Sequence, residues 1–341
     1  MKQLRWPMGR DGSQTGRRVL RAVTVAVALA GSVLLASVES TAQPAGYLPA
    51  SVPTDPAPPQ PDQLGAVLYM KSHPDAVPRG ANDFGCVPDA AHPRPVILAH
   101  GTDASAYTDW SVIGPQLVDH GFCVFALNYG GKPGAGTYGT EDIVLSAYQI
   151  AQFVDEVRAA TGAGQVDLVG FSQGANVTRY YINKLGGAPY VGNWVGLASP
   201  TYGGVLYGLV PIAEQLPGAM DLATRAVSVA AVQQVQGSPF MRELNAGGDT
   251  VPGVRYTTVG SRVDEVIQPF GNIALRGAGA HNIVLQDRCP VDLTGHFHMV
   301  YDPYVFQLLF QTLDPEHAPE PVCVPVPLGT GIPQVIIGGN I

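Results

Sequence analysis

The sequence predicts an α/β fold, a mostly parallel central sheet with helices on both faces, and three observations lead there. Short, wholly apolar runs such as Val96-Ile97-Leu98-Ala99 read as strands covered on both sides. They alternate with segments whose apolar residues recur at helical spacing. A third apolar run, Val166-Asp167-Leu168-Val169-Gly170-Phe171, breaks off into Ser172-Gln173-Gly174-Ala175-Asn176, where a strand stops and a helix begins. In so tight a turn Ser172 needs a positive φ, while Gly170 and Gly174 carry no Cβ to hold strand and helix apart. The hydroxyl is thereby lifted above the sheet edge, and the amides of the new helix are aimed at any oxyanion that forms there.

Before the sheet, Arg17, Arg18 and Arg21 precede the uncharged apolar run Ala22 to Ala36 and the small residues Ser40-Thr41-Ala42. This reads as an export signal over 1–42, cleaved after Ala42. The ordinary secretory route fits better than twin-arginine export, and no membrane span is left in the mature chain. Charged residues make up 13% of the chain, about half the usual share, and glycine and proline are abundant, as in a compact, loop-rich extracellular protein. A net charge of −8 without a Lys/Arg cluster in the body excludes nucleic acid as a partner. Residues 43–65, with Pro44, Pro49, Pro53, Pro56, Pro58, Pro59 and Pro61, read as an extended leader, followed by a single domain over 66–341.

Within that domain Pro95 to Ala99 is the first strand, ending in His100-Gly101-Thr102. After polar Asp103 to Asp109 comes Trp110 and a helix stopped by Gly121. Phe122 to Leu127 is the next strand, and Tyr129 to Gly136 a glycine-rich loop. Ile143, Ala147, Ile150, Val154 and Val157 mark one face of an amphipathic helix closed by Gly162 and Gly164. The serine turn follows, with a helix from Ala175 carrying Val177, Tyr180, Tyr181 and Leu185. Further strands are Trp194 to Ala198, Val254 to Val259 and Ile283 to Leu285. Between Gly204 and Phe240 the only charges are Glu214, Asp221 and Arg225, and Pro211, Pro217 and Gly218 interrupt the apolar run. The stretch at about 201–240 is read either as an apolar cap over a pocket for greasy substrate or as an ordinary core helix pair. The four cysteines of an exported chain allow three pairings. Cys86 with Cys123 and Cys289 with Cys323 is preferred: the first ties the segment before the sheet to the strand at Phe122, the second pins the C-terminal tail beside the loop of His296.

A serine hydroxyl becomes a nucleophile when an imidazole takes its proton and a carboxylate orients that imidazole. In this topology acid and base follow the nucleophile, acid first. His296, in the Thr294-Gly295-His296 turn after the last strand, is preferred as base over His298 and over His281, which starts a strand. Asp264 lies past the carboxyl end of the strand Val254 to Val259, on the rim where open α/β sheets bind ligands, and is preferred to Asp249, Asp287 and Asp292. The oxyanion donors are expected to be the backbone N–H groups of Gln173 and Thr102, with the Thr102 hydroxyl as an additional donor. His100 reads as a packing and loop-holding residue. No ligand cluster has metal spacing, so neither metal nor organic cofactor is expected.

Several strings together resemble the secreted bacterial triacylglycerol lipases of the class 2 lipase family. They are Val96 to Thr102, Ala104-Ser105-Ala106-Tyr107 with Trp110, Cys123 to Gly130, Val166 to Gly170 with Ser172-Gln173-Gly174, and Gly237-Ser238-Pro239-Phe240. Leu244 to Gly253, Asp264-Glu265-Val266, Gln286 to Pro290 and Tyr301-Asp302-Pro303 continue the series, which covers nearly the whole chain after the leader. The resemblance implies an α/β-hydrolase fold with an apolar cap, acting on triacylglycerols or other carboxylic esters. Ser172, Asp264 and His296 stand on the triad positions, Thr102 and Gln173 on the oxyanion positions. Phe171 stands where the family commonly has histidine, which makes that wall apolar. His298 stands where an apolar residue is usual, and the additional cysteine pair of many members' caps is absent. The implied partners are a lipid or other ester substrate and a lipid–water interface, for a protein that is secreted or held at the cell envelope. Competing readings are an acyltransferase of envelope lipids and a non-catalytic envelope binding protein on the same scaffold.

Overall fold

The computed structural model describes residues 44–45, 47–204 and 228–339. The expected export signal, 1–42, and residues 205–227 of the expected cap lie outside the described residues. The expected leader contains β1 (Asp55–Ala57), and its last three residues already belong to α1 (Gln63–Ser72), which Asp62 caps by accepting the Gly65 amide. Next, β2 (Ala76–Pro78) pairs parallel with β1. Tyr107 Oη donates to Pro58 O at 2.6 Å, so the proline-rich stretch, poor in its own amide donors, is held by a donor from the domain.

The main sheet comprises β3 (Val96–Ala99), β4 (Val124–Leu127), β5 (Val166–Phe171), β6 (Val191–Leu197), β7 (Arg255–Gly260) and β8 (His281–Val284). Its order is β4-β3-β5-β6-β7-β8, and every pairing is parallel. Along β3 to β6 both faces are covered, which is why β3 and β4 are wholly apolar and β5 and β6 nearly so, whereas β7 and the edge strand β8 carry Arg255, Thr257, Thr258, His281 and Asn282. Val96, Leu98, Val169 and Val195 face one core with α2 (Ala106–Trp110) and α3 (Ile113–Asp119). Ile97, Leu168 and Trp194 face the other, with α4 (Ile143–Thr161) and α5 (Gln173–Lys184). All five residues of the predicted α4 stripe are buried, and the helix ends where Gly162 takes a φ of 70°.

Beyond β6 follow α6 (Val229–Gln233), α7 (Pro239–Asn245), the short α8 (Leu285–Arg288), α9 (Pro303–Leu313) and α10 (Ile332–Gly338). The α9 helix lays Val305, Leu308 and Leu309 on the first core. Both preferred disulfides are formed, Cys86–Cys123 and Cys289–Cys323. From β3 the chain first adds β4 on one side, then crosses over to β5 on the other. The carboxyl ends of β3 and β5 therefore flank the point where the winding direction reverses, the usual place for a ligand crevice in such sheets.

Candidate active site

Because Ala99 of β3 pairs with Gly170 of β5, the segments leaving those strands, His100-Gly101-Thr102 and Ser172-Gln173, emerge side by side. Ser172 has φ 50° and ψ −118°, and α5 begins at Gln173, two residues earlier than its apolar stripe suggests. The reason is the closeness of the turn. A Cβ on Gly174 would run into the Ala99 carbonyl oxygen, and one on Gly170 into the Ala175 amide, so the helix starts directly against the strand ends.

Asp264 arrives from the loop after β7 and is fully buried, with Oδ1 accepting the amides of Val266 at 2.9 Å and Ile267 at 2.6 Å. His296 opens a one-turn 3₁₀ helix, His296–His298, after α8. Its Nδ1 lies 3.0 Å from Asp264 Oδ2 and its Nε2 3.0 Å from Ser172 Oγ. A carboxylate can only accept, so Nδ1 carries the proton and Nε2 is free to accept the serine hydroxyl proton. Burial alone depresses the His296 pKa, but Asp264, through charge and hydrogen bond, outweighs it. With Glu265 and Asp109 adding their charges, the imidazole is left above its ordinary value.

The other candidates are placed elsewhere. His281 is exposed at the start of β8, and half-buried His298 has its pKa lowered by burial. Asp249 accepts from Tyr202 Oη and from the amides of Arg276 and Gly277, Asp287 pairs with Arg262 at the surface, and Asp292 accepts the Thr294 amide. Asp292 thus steadies the turn that leads to His296.

Next to the serine, Gln173 Nε2 donates to Thr102 Oγ1 at 2.9 Å and to Gly139 O at 2.8 Å, and Gln234, which caps the end of α6, also donates to Thr102 Oγ1 at 3.3 Å. With two amide groups donating to that oxygen, the hydroxyl proton of Thr102 is left to donate elsewhere. His100 is fully buried. Its Nε2 accepts the Tyr129 amide, so Nδ1 bears the proton and donates to Gly101 O at 2.8 Å. Burial pushes its pKa down to about 4, which keeps the ring neutral and rules it out as a proton relay near neutrality. Thr102, Ser172, Gln234 and His296 line a cavity of about 660 Å³, within the usual range for small-molecule sites. Apolar lining comes from Val67, Phe171, Val266, Val300 and Val335, so α1 and α10 supply its outer side.

The family model described as Lipase (class 2) matches residues 93–308, well over half of the chain. The chain belongs to the class 2 lipase family. Stretches of this class 2 lipase family member are 38% identical to two proteins named triacylglycerol lipase. One is from Burkholderia plantarii (121 residues, 34% of this chain and 30% of the relative), the other from Pseudarthrobacter phenanthrenivorans (97 residues, 27% and 28%). The chain thus spans under a third of the length of either curated relative in these matches. Aspergillus fumigatus lipase B shares the fold with a TM-score of 0.55 at 20% identity, over 72% of this chain and 56% of that one. Mature Bacillus licheniformis lipase BlEst2 does so with 0.50 at 16% identity, over 67% and 94%. The fold is that of the α/β hydrolases.

Three contributors escaped sequence reasoning. Gln234 sits in a stretch read as either an apolar cap or a core helix pair, Asp109 in one read simply as polar, and α10 in a tail given no role beyond its cysteine. For Asp109 a signal existed: a short polar segment directly after a buried strand's Gly101-Thr102 loop has backbone donors to satisfy.

Proposed function

We propose that the protein is a secreted serine carboxylic ester hydrolase that cleaves fatty-acyl esters, triacylglycerols among them, through an acyl-enzyme. The observation that carries this reading is the continuous chain Ser172 Oγ, His296 Nε2, His296 Nδ1, Asp264 Oδ2, with 3.0 Å at both hydrogen bonds. Ser172 Oγ attacks the ester carbonyl carbon while His296 Nε2 takes its proton, and Asp264 stabilises the imidazolium that results. The carbonyl oxygen becomes an oxyanion, met by the N–H groups of Gln173 and Thr102 and by the Thr102 hydroxyl. Collapse of this intermediate expels the alcohol, which receives the proton from His296. Water, deprotonated by the same imidazole, then releases the acid and restores Ser172.

An acyl chain suits the walls that Val67, Phe171, Val266, Val300 and Val335 provide. Export agrees with two formed disulfides, which persist in oxidising surroundings. The test is a rate profile over p-nitrophenyl esters from short to long chain for the wild type and Ser172→Ala. Turnover that rises with chain length and vanishes in the variant supports a lipase. Negligible turnover unaffected by Ser172→Ala, with no fluorophosphonate adduct on Ser172, overturns the reading.

A further inference from the structure

Asp109 is a carboxyl in an unexpected place. It is 1% exposed, lines the cavity that holds Ser172 and His296, and accepts the Gly101 amide on Oδ2 at 2.7 Å. Its own helix, α2, is fixed on several sides. Ser105 and Thr108 form a capping box, Ala106 N donates to Asn128 Oδ1 at 2.7 Å, and Tyr301 Oη donates to Thr108 O. The carboxyl is therefore a rigid fixture beside a loop.

Two peptide units meet at Gly101, and each is held. Asp109 holds the N–H of the unit joining His100 to Gly101, and His100 Nδ1 holds the C=O of the unit joining Gly101 to Thr102. In a trans peptide the C=O and N–H point opposite ways, so the Thr102 N–H is turned away from His100. Thr102 itself lines the cavity with Ser172. We infer that Asp109 is a positioning residue of the oxyanion loop, whose carboxyl anchors the Gly101 amide and so keeps the Thr102 N–H aimed at the tetrahedral oxygen. This rests on reading Ser172 as the nucleophile.

A buried charge is costly where a neutral acceptor would satisfy the same amide, and burial does push the Asp109 pKa up to about 7, against the Gly101 hydrogen bond and the His296 charge. The titratable groups facing it are His296 from the 3₁₀ turn, Tyr129 after β4 and Tyr301 before α9. Burial raises both tyrosines well above their ordinary value, so they stay neutral, and His296 is the group whose charge responds to Asp109.

The test uses the full chain with Asp109→Ala and Asp109→Asn. In the alanine variant kcat falls by about tenfold or more while KM stays within about threefold, as for a misaimed oxyanion donor. Hydrogen exchange at the Gly101 amide speeds up. Asparagine, whose side-chain oxygen accepts the same amide, keeps Gly101 protected and restores kcat to within about threefold. An alanine variant with unchanged kcat or unchanged Gly101 exchange overturns the inference. So does a folded asparagine variant as impaired as the alanine one, which keeps the question decidable if alanine fails to fold. Fluorophosphonate labelling separates the two readings. A wild type unlabelled at Ser172 counts against the nucleophile, with Gly101 exchange still deciding the anchor, whereas equal labelling rates in wild type and Asp109→Ala count against Asp109.

Discussion

The inner side of the cavity and its outer side are built by different means. Inside, Thr102, Ser172 and Asp264 stand just past the carboxyl ends of β3, β5 and β7, and His296 on the 3₁₀ turn after α8 joins two of them by buried hydrogen bonds to Asp264 and Ser172. Outside, α1 and α10 come from opposite ends of the described chain and pack on each other, Gly338 lying against Leu64 and Val67. α10 reaches that place along a tail held by Cys289–Cys323 and by Leu293 N donating to Val326 O at 3.0 Å. The sheet fixes atoms to within hydrogen-bonding tolerance, as bond making demands, while the outer wall has only to present apolar surface. Changes inside should therefore alter kcat, and changes outside should alter which ester is preferred.

The largest expected effect tests the inner side. Ser172→Ala should reduce kcat by about 10⁴-fold or more, and Asp264→Asn by about 10⁴-fold, since the amide would hold the wrong tautomer. Both variants should keep the wild-type ratio between long-chain and short-chain ester rates in whatever turnover remains, measured with purified, folded protein. A changed ratio would break the division between the two sides.

The disulfides come next. Their loops are similar, with sequence separations of 37 and 34, so each is worth about 4 kcal/mol in the chain-entropy account. Cys86→Ser with Cys123→Ser and Cys289→Ser with Cys323→Ser should thus destabilise alike in thermal melts. Only the second pair should shift the acyl-length profile, because only it tethers the tail that carries α10. Equal profiles in both would mean that the tail's position does not depend on its tether.

The same division explains how much could be read from the residues alone. The positions of the inner strands β3, β4 and β5 follow from runs that are wholly or nearly apolar, and Ser172 from glycines whose absent side chains the strand–helix contact requires. His296 and Asp264 followed from chain order on the sheet rim. These are consequences of local pattern and parallel topology. By contrast, α10 has short apolar content, Ile332-Pro333-Gln334-Val335-Ile336-Ile337, that acquires a role only by meeting α1, some 270 residues earlier in sequence. Nothing local encodes such a meeting. Gln234 was missed for a related reason: its value lies in one hydrogen bond to Thr102 across 132 positions.

A smaller effect follows from Val335, which faces the cavity from α10. Val335→Trp should fill the outer part of the space, lowering kcat/KM for long-chain esters by about tenfold while leaving short-chain esters within about twofold. Uniform loss over all chain lengths would instead place Val335 on the reacting side.

The smallest effect is a shift in pH dependence, and it draws the boundary most finely. His296 must be unprotonated to accept the serine proton, so kcat/KM falls as pH drops through its pKa. That pKa is raised, so the acid limb should lie higher than an unperturbed histidine would place it. Glu265 contributes to the raise by its charge and also accepts the His296 amide on Oε2. Glu265→Gln keeps an oxygen for that amide but removes the charge. The imidazolium is then less favoured, the pKa falls, and the limb should move to lower pH with kcat on the plateau nearly unchanged. Val335→Trp, which adds no charge, should leave the midpoint where it is. If the wall variant moved the midpoint as far as Glu265→Gln does, the outer side would be controlling the solvation of the histidine, and its part would extend from choosing the ester to tuning the base.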